Sequence, residues 1–183
     1  MSSQHKSISK FLSLVLRHRP GDIALTLDAS GWVSVDQLLQ ALGDHGRQLT
    51  RAELESIVVT SDKRRFALSA DRSMVRANQG HSVPVDLALP PILPPDVLFH
   101  GTARCYLPAI RAEGLAKGQR HHVHLSASRE LAAIVGKRRG EYQVLEIDAR
   151  GMVASGFVFY RSENGVWLTD HVPAHFLSAG HDS

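Results

Sequence analysis

Five of the eight prolines in this chain fall in one stretch, "PVDLALPPILPP", residues 84–95. Proline has a fixed φ and no N–H to give, so neither a helix interior nor a central strand runs through such a segment. A chain of 183 residues interrupted there folds as two pieces. The expected division is a first lobe over 1–83, a connector over 84–96 and a second lobe over 97–183, and a hydrophobic content of 43% supplies a core for each.

In the first lobe, Ile8, Phe11, Leu12 and Val15 recur at i, i+3, i+4, i+7, the period of an amphipathic helix. That helix stops at Pro20, leaving Arg17 and His18 at its C-terminal end. "IALTLD" alternates Ile23, Leu25 and Leu27 like a short strand, and "VDQLLQAL" reads as a helix with Leu38, Leu39 and Leu42 inward. Thr50 and Glu53 stand at capping-box spacing before Leu54, Ile57 and Val58, so a third helix starts near Thr50. "RRFAL" and "MVRA" flank the polar turn "SADRS" as a hairpin. Helices followed by a hairpin suggest a winged helix-turn-helix lobe, a shape used on nucleic acid.

The second lobe is richer in strands, "VLFHG", "HVHLS", "YQVLEID", "GFVFY" and "GVWLT", with helices at "CYLPAIRAEG" and "RELAAIVGKR". Pro108 sits early enough in the first of these helices to be tolerated. The fold class expected is α+β, a mixed α/β second lobe following the helical first one.

A net charge of +3 permits phosphate or nucleic-acid binding without demanding it. A single cysteine, Cys105, excludes an internal disulfide and a Cys-based zinc cluster. The start of the chain shows no apolar run of a signal peptide and no segment has the length to span a bilayer, so a cytoplasmic protein without membrane contact is expected.

Basic residues cluster in three places: "LRHR" at 16–19, "KRR" at 63–65 and "GKRRG" at 136–140. Guanidinium forks hold phosphate oxygens bidentately and a histidine exchanges a proton near neutral pH, so the combination suits a phosphate dianion. On a strand Arg64 and Arg65 point to opposite faces, so one is solvated when the other faces a cleft. Soluble basic turns are the plain alternative. In "RHHVHLS" His122 and His124 share a strand face, but no carboxylate or cysteine stands at ligand spacing, and a metal is disfavoured. "FHGT", residues 99–102, ends an apolar run in a histidine, a glycine open to close approach and a hydroxyl, as pocket-lining strand ends do. Neither a G-x-G-x-x-G after a strand nor a P-loop occurs. Trp32 and Trp167 lie in apolar alternations and are expected in the cores.

Taken together, "FLSLVLRHRP", "LDASGWVSVDQLL", "TSDKRRFAL", "VRANQGHS", "FHGTA", "IRAEGLAKGQRHHVHLS", "VGKRRG" and "ENGVWLT" resemble the NAD-dependent RNA 2′-phosphotransferases known from tRNA splicing. The similarity runs in order from about Lys10 to Leu177. It implies a winged-helix RNA lobe joined to a lobe similar to ADP-ribosyltransferases, in which NAD is held without a Rossmann fingerprint. The implied catalytic set is Arg17, His18, Arg65 and Arg138, with Lys63 as a further phosphate or RNA contact. His100, Gly101 and Thr102, with Arg120, His122 and Ser126, are the implied NAD-binding positions.

The implied reaction has two steps, on a monomer, without a metal. An internal RNA 2′-phosphate displaces nicotinamide from NAD, and the ribose 2″-hydroxyl then attacks phosphorus to give ADP-ribose 1″,2″-cyclic phosphate and an RNA 2′-hydroxyl. Two other functions stay open from the residues: an ADP-ribosyltransferase acting on terminal phosphates of nucleic acid, and a winged-helix regulator with a ligand-sensing lobe.

Overall fold

Burial of the apolar stripe on the first predicted helix sets the first core. The computed structural model describes residues 3–60 and 64–179, and the chain divides into two units, residues 1–88 and 89–183. The boundary falls inside the proline-rich segment. Asp86 donates its N–H to the Ala29 carbonyl (2.7 Å) in the first unit, while Ile92 donates to the Phe159 carbonyl (2.9 Å) in the second. Each end of the connector is thereby fastened to the unit it belongs to.

In the first unit, helix α1 (Ser3–Val15) buries Leu12 and Val15, and Leu16, just past its end, is buried with them. A 3-10 turn over Pro20–Ile23 follows, then strand β1 (Val33–Ser34), helices α2 (Val35–Asp44) and α3 (Arg51–Thr60), and strands β2 (Phe66–Leu68) and β3 (Met74–Ala77). The three strands form one antiparallel sheet in the order β1-β3-β2, with Val33 opposite Val75 and Phe66 opposite Ala77. Leu38, Leu42, Leu54 and Ile57 meet α1 and the sheet in the core.

Local chemistry starts these elements where the residue types require. The Ser34 hydroxyl caps α2 at the Gln37 N–H. The capping box of α3 is reciprocal, since Glu53 N–H donates to Thr50 Oγ1 (3.2 Å) and Thr50 N–H donates to Glu53 Oε2 (2.8 Å). In the hairpin turn the hydroxyls of Ser69 and Ser73 donate to the Asp71 carboxylate, which lowers its pKa to about 2.

"IALTLD" is not a strand. Ile23 and Leu25 are buried and Leu27 packs on the core, so the alternation is real, but the backbone pairs with nothing as a ladder and Ala24 turns left-handed at φ 52°. A period of two reports which residues face in; a strand also needs a neighbour to pair with.

The second unit runs through β4 (Val97–Ala103), α4 (Leu107–Glu113), β5 (Leu115–Ala116), β6 (Val123–Leu125), α5 (Arg129–Gly136), β7 (Tyr142–Asp148), α6 (Ala149–Ala154), β8 (Tyr160–Arg161), β9 (Trp167–Thr169), β10 (His171–Val172) and β11 (Leu177–Ala179). β4 and β7 pair antiparallel over seven residues, Val97 opposite Asp148 through Ala103 opposite Tyr142, and β11 flanks β7. A second sheet has the order β6-β9-β8, and β5 with β10 forms a separate pair. Phe99 and Ser126 exchange both backbone hydrogen bonds at 2.8 Å and tie β4 to the end of β6. Leu98, Ile147, Met152, Phe159 and Leu168 fill the core.

Pro108 lies in the first turn of α4, as expected. "GFVFY" is extended over Tyr160 alone within its span, and Phe157 and Phe159 pack in the core without a ladder. Trp167 is buried; Trp32 is half-buried beneath the Arg76 guanidinium, 4.5 Å from its ring centroid, rather than enclosed. The whole is an α+β arrangement of small antiparallel sheets with six α-helices among the described residues, none long and apolar enough to cross a membrane.

Candidate active site

In the first unit the chain leaves α1 through a tight turn, with His18 and Arg19 both donating N–H to the Leu14 carbonyl. At this turn Arg17 is half-buried and His18 is exposed. Arg17 Nη2 donates to the Arg65 carbonyl (3.4 Å), and Arg65 Nη1 donates to the hydroxyl of Ser9 (3.2 Å), a residue on α1 that is 1% exposed. His18 Nδ1 and Ser82 Oγ share a hydrogen bond of 2.9 Å, while the Ser82 N–H donates to the Arg17 carbonyl (2.9 Å). Arg17 and His18, at the end of α1, are thus tied to the entry of β2, which carries Arg65, and to the segment after β3, which carries Ser82. Arg64 is exposed and Arg65 half-buried, but both precede β2 and Arg64 is left-handed at φ 37°, so their division does not come from the strand alternation expected of them. Arg19 is exposed, and Lys63 lies outside the described residues.

Ser9 and Ser82 were not foreseen as contacts of these groups. Only sequence-distant pairing reveals them, since 56 residues separate Arg65 from Ser9 and 64 separate His18 from Ser82.

In the second unit, His100 Nδ1 donates to the His124 carbonyl at 3.0 Å. A carbonyl only accepts, so the proton sits on Nδ1 and the neutral ring presents Nε2 as an acceptor. Burial is the main cause holding the His100 pKa below its ordinary 6.5, the Arg120 charge adds to it, and the His124 carbonyl opposes both. Arg120 Nη1 stands 3.5 Å from His124 Nδ1. Thr102, 7% exposed, lies on the same strand face as His100, and Ser126 joins through its backbone to Phe99. The His122 ring lies 5.4 Å from the ring of Tyr160. His100, Thr102, Arg120, His124 and Ser126 therefore gather where β4 meets β6.

A protonation consequence follows for stability. Because the folded pKa of His100 is depressed, the unfolded chain binds the proton first. Its contribution is complete above about pH 6.5 and is lost as pH falls through the folded value. Thermal unfolding across pH 7.5 to 5 is expected to show a shallower acid loss for His100→Gln than for the unaltered chain; identical slopes would contradict the assignment.

Gly101 faces the other way. A methyl group built there would lie 1.8 Å from the Ala132 carbonyl oxygen and 2.9 Å from the Gly136 nitrogen. The missing Cβ lets α5 lie directly on β4, so helix packing, not only ligand approach, accounts for glycine here. α5 begins at Ser128, whose hydroxyl accepts the Leu131 N–H, and Arg129 Nη1 holds Glu146 on β7 at 2.6 Å. A 3-10 turn, Lys137–Arg139, continues from α5 and carries the exposed Arg138. Arg138 thus owes its position to the seat of α5. Among the described residues no three His, Cys, Asp or Glu side chains gather as metal ligands.

These features define an α+β protein with an arginine–histidine cluster in one unit and a half-buried imidazole, its pKa held below 6.5, in the other. The chain belongs to the RNA 2′-phosphotransferase, Tpt1 / KptA family, whose sequence profile matches residues 3–171. A "Probable RNA 2′-phosphotransferase" of Acaryochloris marina is 54% identical over 177 residues, covering 97% of this chain and 98% of the relative. Proteins of the same description from Pseudomonas aeruginosa strain PAO1 and Streptomyces coelicolor are 53% and 54% identical over 170 residues, covering 92% and 93% of this chain and 93% and 92% of those relatives.

Proposed function

We propose that this chain is an enzyme that removes an internal 2′-phosphate from RNA by passing it to NAD, nicotinamide leaving in the first step and the RNA 2′-hydroxyl in the second. Family membership supports the RNA 2′-phosphate as substrate, and the observation that carries the chemistry is the Arg17–Arg65 contact beside His18. The Arg17 guanidinium is anchored on the Arg65 backbone carbonyl and the Arg65 guanidinium on Ser9, and two arginines fixed on one segment suit the oxygens of a phosphate dianion.

Arg17 and Arg65 orient that phosphate, and Arg138 is the third arginine the resemblance assigns to it. In the second step charge gathers on phosphoryl oxygens and on the departing RNA oxygen, so contacts that tighten there lower the barrier. His18, held by Ser82, donates a hydrogen bond or proton to an oxygen at this centre. The neutral Nε2 of His100 fits a ribose hydroxyl donor, and Arg120, His122, Thr102 and Ser126 are the neighbouring groups in reach of the same dinucleotide. NAD supplies an anomeric carbon with a neutral leaving group, and no metal is needed where arginines neutralise the phosphate.

The first unit reads best as a winged-helix RNA lobe. Its support is the element order helix, strand, two helices and a hairpin, with β1 closing the sheet beside β3. The second reads as an ADP-ribosyltransferase-like lobe, supported by its two three-stranded sheets joined at Phe99 and Ser126.

Incubation with NAD and an RNA carrying one internal 2′-phosphate tests the function. The expected products are RNA with a 2′-hydroxyl, nicotinamide and ADP-ribose 1″,2″-cyclic phosphate, and His18→Ala slows their formation. RNA that keeps its phosphate with no nicotinamide released would overturn the proposal. Conversion that stops at a stable ADP-ribosylated RNA would instead favour the transferase that modifies terminal phosphates.

A further inference from the structure

We infer that Asn78 is a positioning residue that selects which of the doubled arginines, Arg64 or Arg65, enters the phosphate cluster; the inference rests on the function proposed above. Asn78 follows β3 and is 5% exposed. It grips two consecutive carbonyls at the entry to β2, its backbone N–H donating to Arg65 (3.0 Å) and its side-chain Nδ2 donating to Arg64 (2.6 Å). Arg64 sits at φ 37°, a left-handed conformation that costs an L-residue with a Cβ.

The consequence lies one residue on. With Arg64 left-handed, its side chain is exposed while Arg65 turns toward α1 and reaches Ser9 Oγ. The Arg65 carbonyl, also held from Asn78, then receives Arg17 Nη2. Relaxing Arg64 to a negative φ rotates the peptide plane whose carbonyl Asn78 holds, and Arg65 loses its register against Ser9. The Asn78 amide orientation follows from its partner, because only Nδ2 can donate to a carbonyl.

Asn78 is poorly suited to a purely stabilising role. Its Oδ1 is buried and accepts no hydrogen bond among the described residues, so the desolvation of that oxygen offsets what Nδ2 gains. Removing the side chain therefore disturbs position more than stability.

The test compares Asn78→Ala, Arg64→Gly and the double variant by single-turnover conversion of NAD and 2′-phosphorylated RNA, by thermal midpoint and by crystal structure. Glycine adopts a positive φ without the clamp, so Arg64→Gly restores what Asn78→Ala removes. Expected are a loss of about tenfold to a hundredfold in the second step for Asn78→Ala, a thermal midpoint within a few degrees of the parent, and recovery of most of the loss in the double variant. A purely structural asparagine gives no such recovery. Wild-type rates in Asn78→Ala, or a slow double variant, would refute the inference. If the unaltered chain leaves RNA untouched, the function proposed above fails by itself. The crystal structures then decide: Arg64 still left-handed with Arg65 on Ser9 in Asn78→Ala overturns the positioning role, and loss of both, regained in the double variant, upholds it.

Discussion

Replacing Gly101 by alanine is expected to lower the thermal midpoint by about 10 °C and to depress RNA 2′-phosphate removal beyond what that loss explains. The added methyl meets main chain rather than a yielding side chain, with the Ala132 oxygen 1.8 Å away, so α5 has to lift from β4. Overpacking of this kind costs about 3 kcal/mol, at 2–4 °C per kcal/mol for a chain of roughly this size. Lifting α5 also shifts the turn over Lys137–Arg139 that carries Arg138, which is why activity falls further than stability. Gly21→Ala is the control, because nothing lies within 4 Å of its added methyl. Calorimetry with single-turnover kinetics reads both effects, and a Gly101→Ala protein with the parent's midpoint and rate would show that α5 is not seated as described.

Arg65→Ala is expected to slow the second step by about a hundredfold and let ADP-ribosylated RNA accumulate, the order of loss seen when one preorganised donor to developing charge is removed. Arg64→Ala, on an exposed side chain, is expected to change the rate by no more than about twofold. The contrast matters more than either number. Both substitutions remove one positive charge, so any general weakening of RNA attraction is common to them. Equal losses in the two variants would mean that charge alone, rather than the geometry at Ser9 and the Arg65 carbonyl, does the work. Quenched-flow sampling of labelled RNA distinguishes intermediate from product in each case.

Most of the secondary structure was legible because its signals are local. The capping box at Thr50 and Glu53, the hairpin about Asp71 and the proline in the first turn of α4 each involve residues a few positions apart, within reach of a sequence pattern. The failures are also physical. "IALTLD" carries a true inward alternation, yet strand status depends on a partner that alternation does not encode. The short strands β5, β10 and β11 and the helix α6 carry no such signal, since two or three residues show no period and their pairing is tertiary.

The sequence by itself determined the division at the proline-rich connector, the inward faces of the helices, the residue types able to meet a phosphate and, through its resemblance, the family. These follow from periodicity, from proline's missing donor and from charge. Only the tertiary structure decided which of Arg64 and Arg65 turns inward, that Ser9 and Ser82 hold the cluster, that His100 keeps its proton on Nδ1, and that Gly101 serves the packing of α5. Each of those depends on a contact between residues far apart in the chain, where the partner's position, and not the residue's own type, sets the outcome.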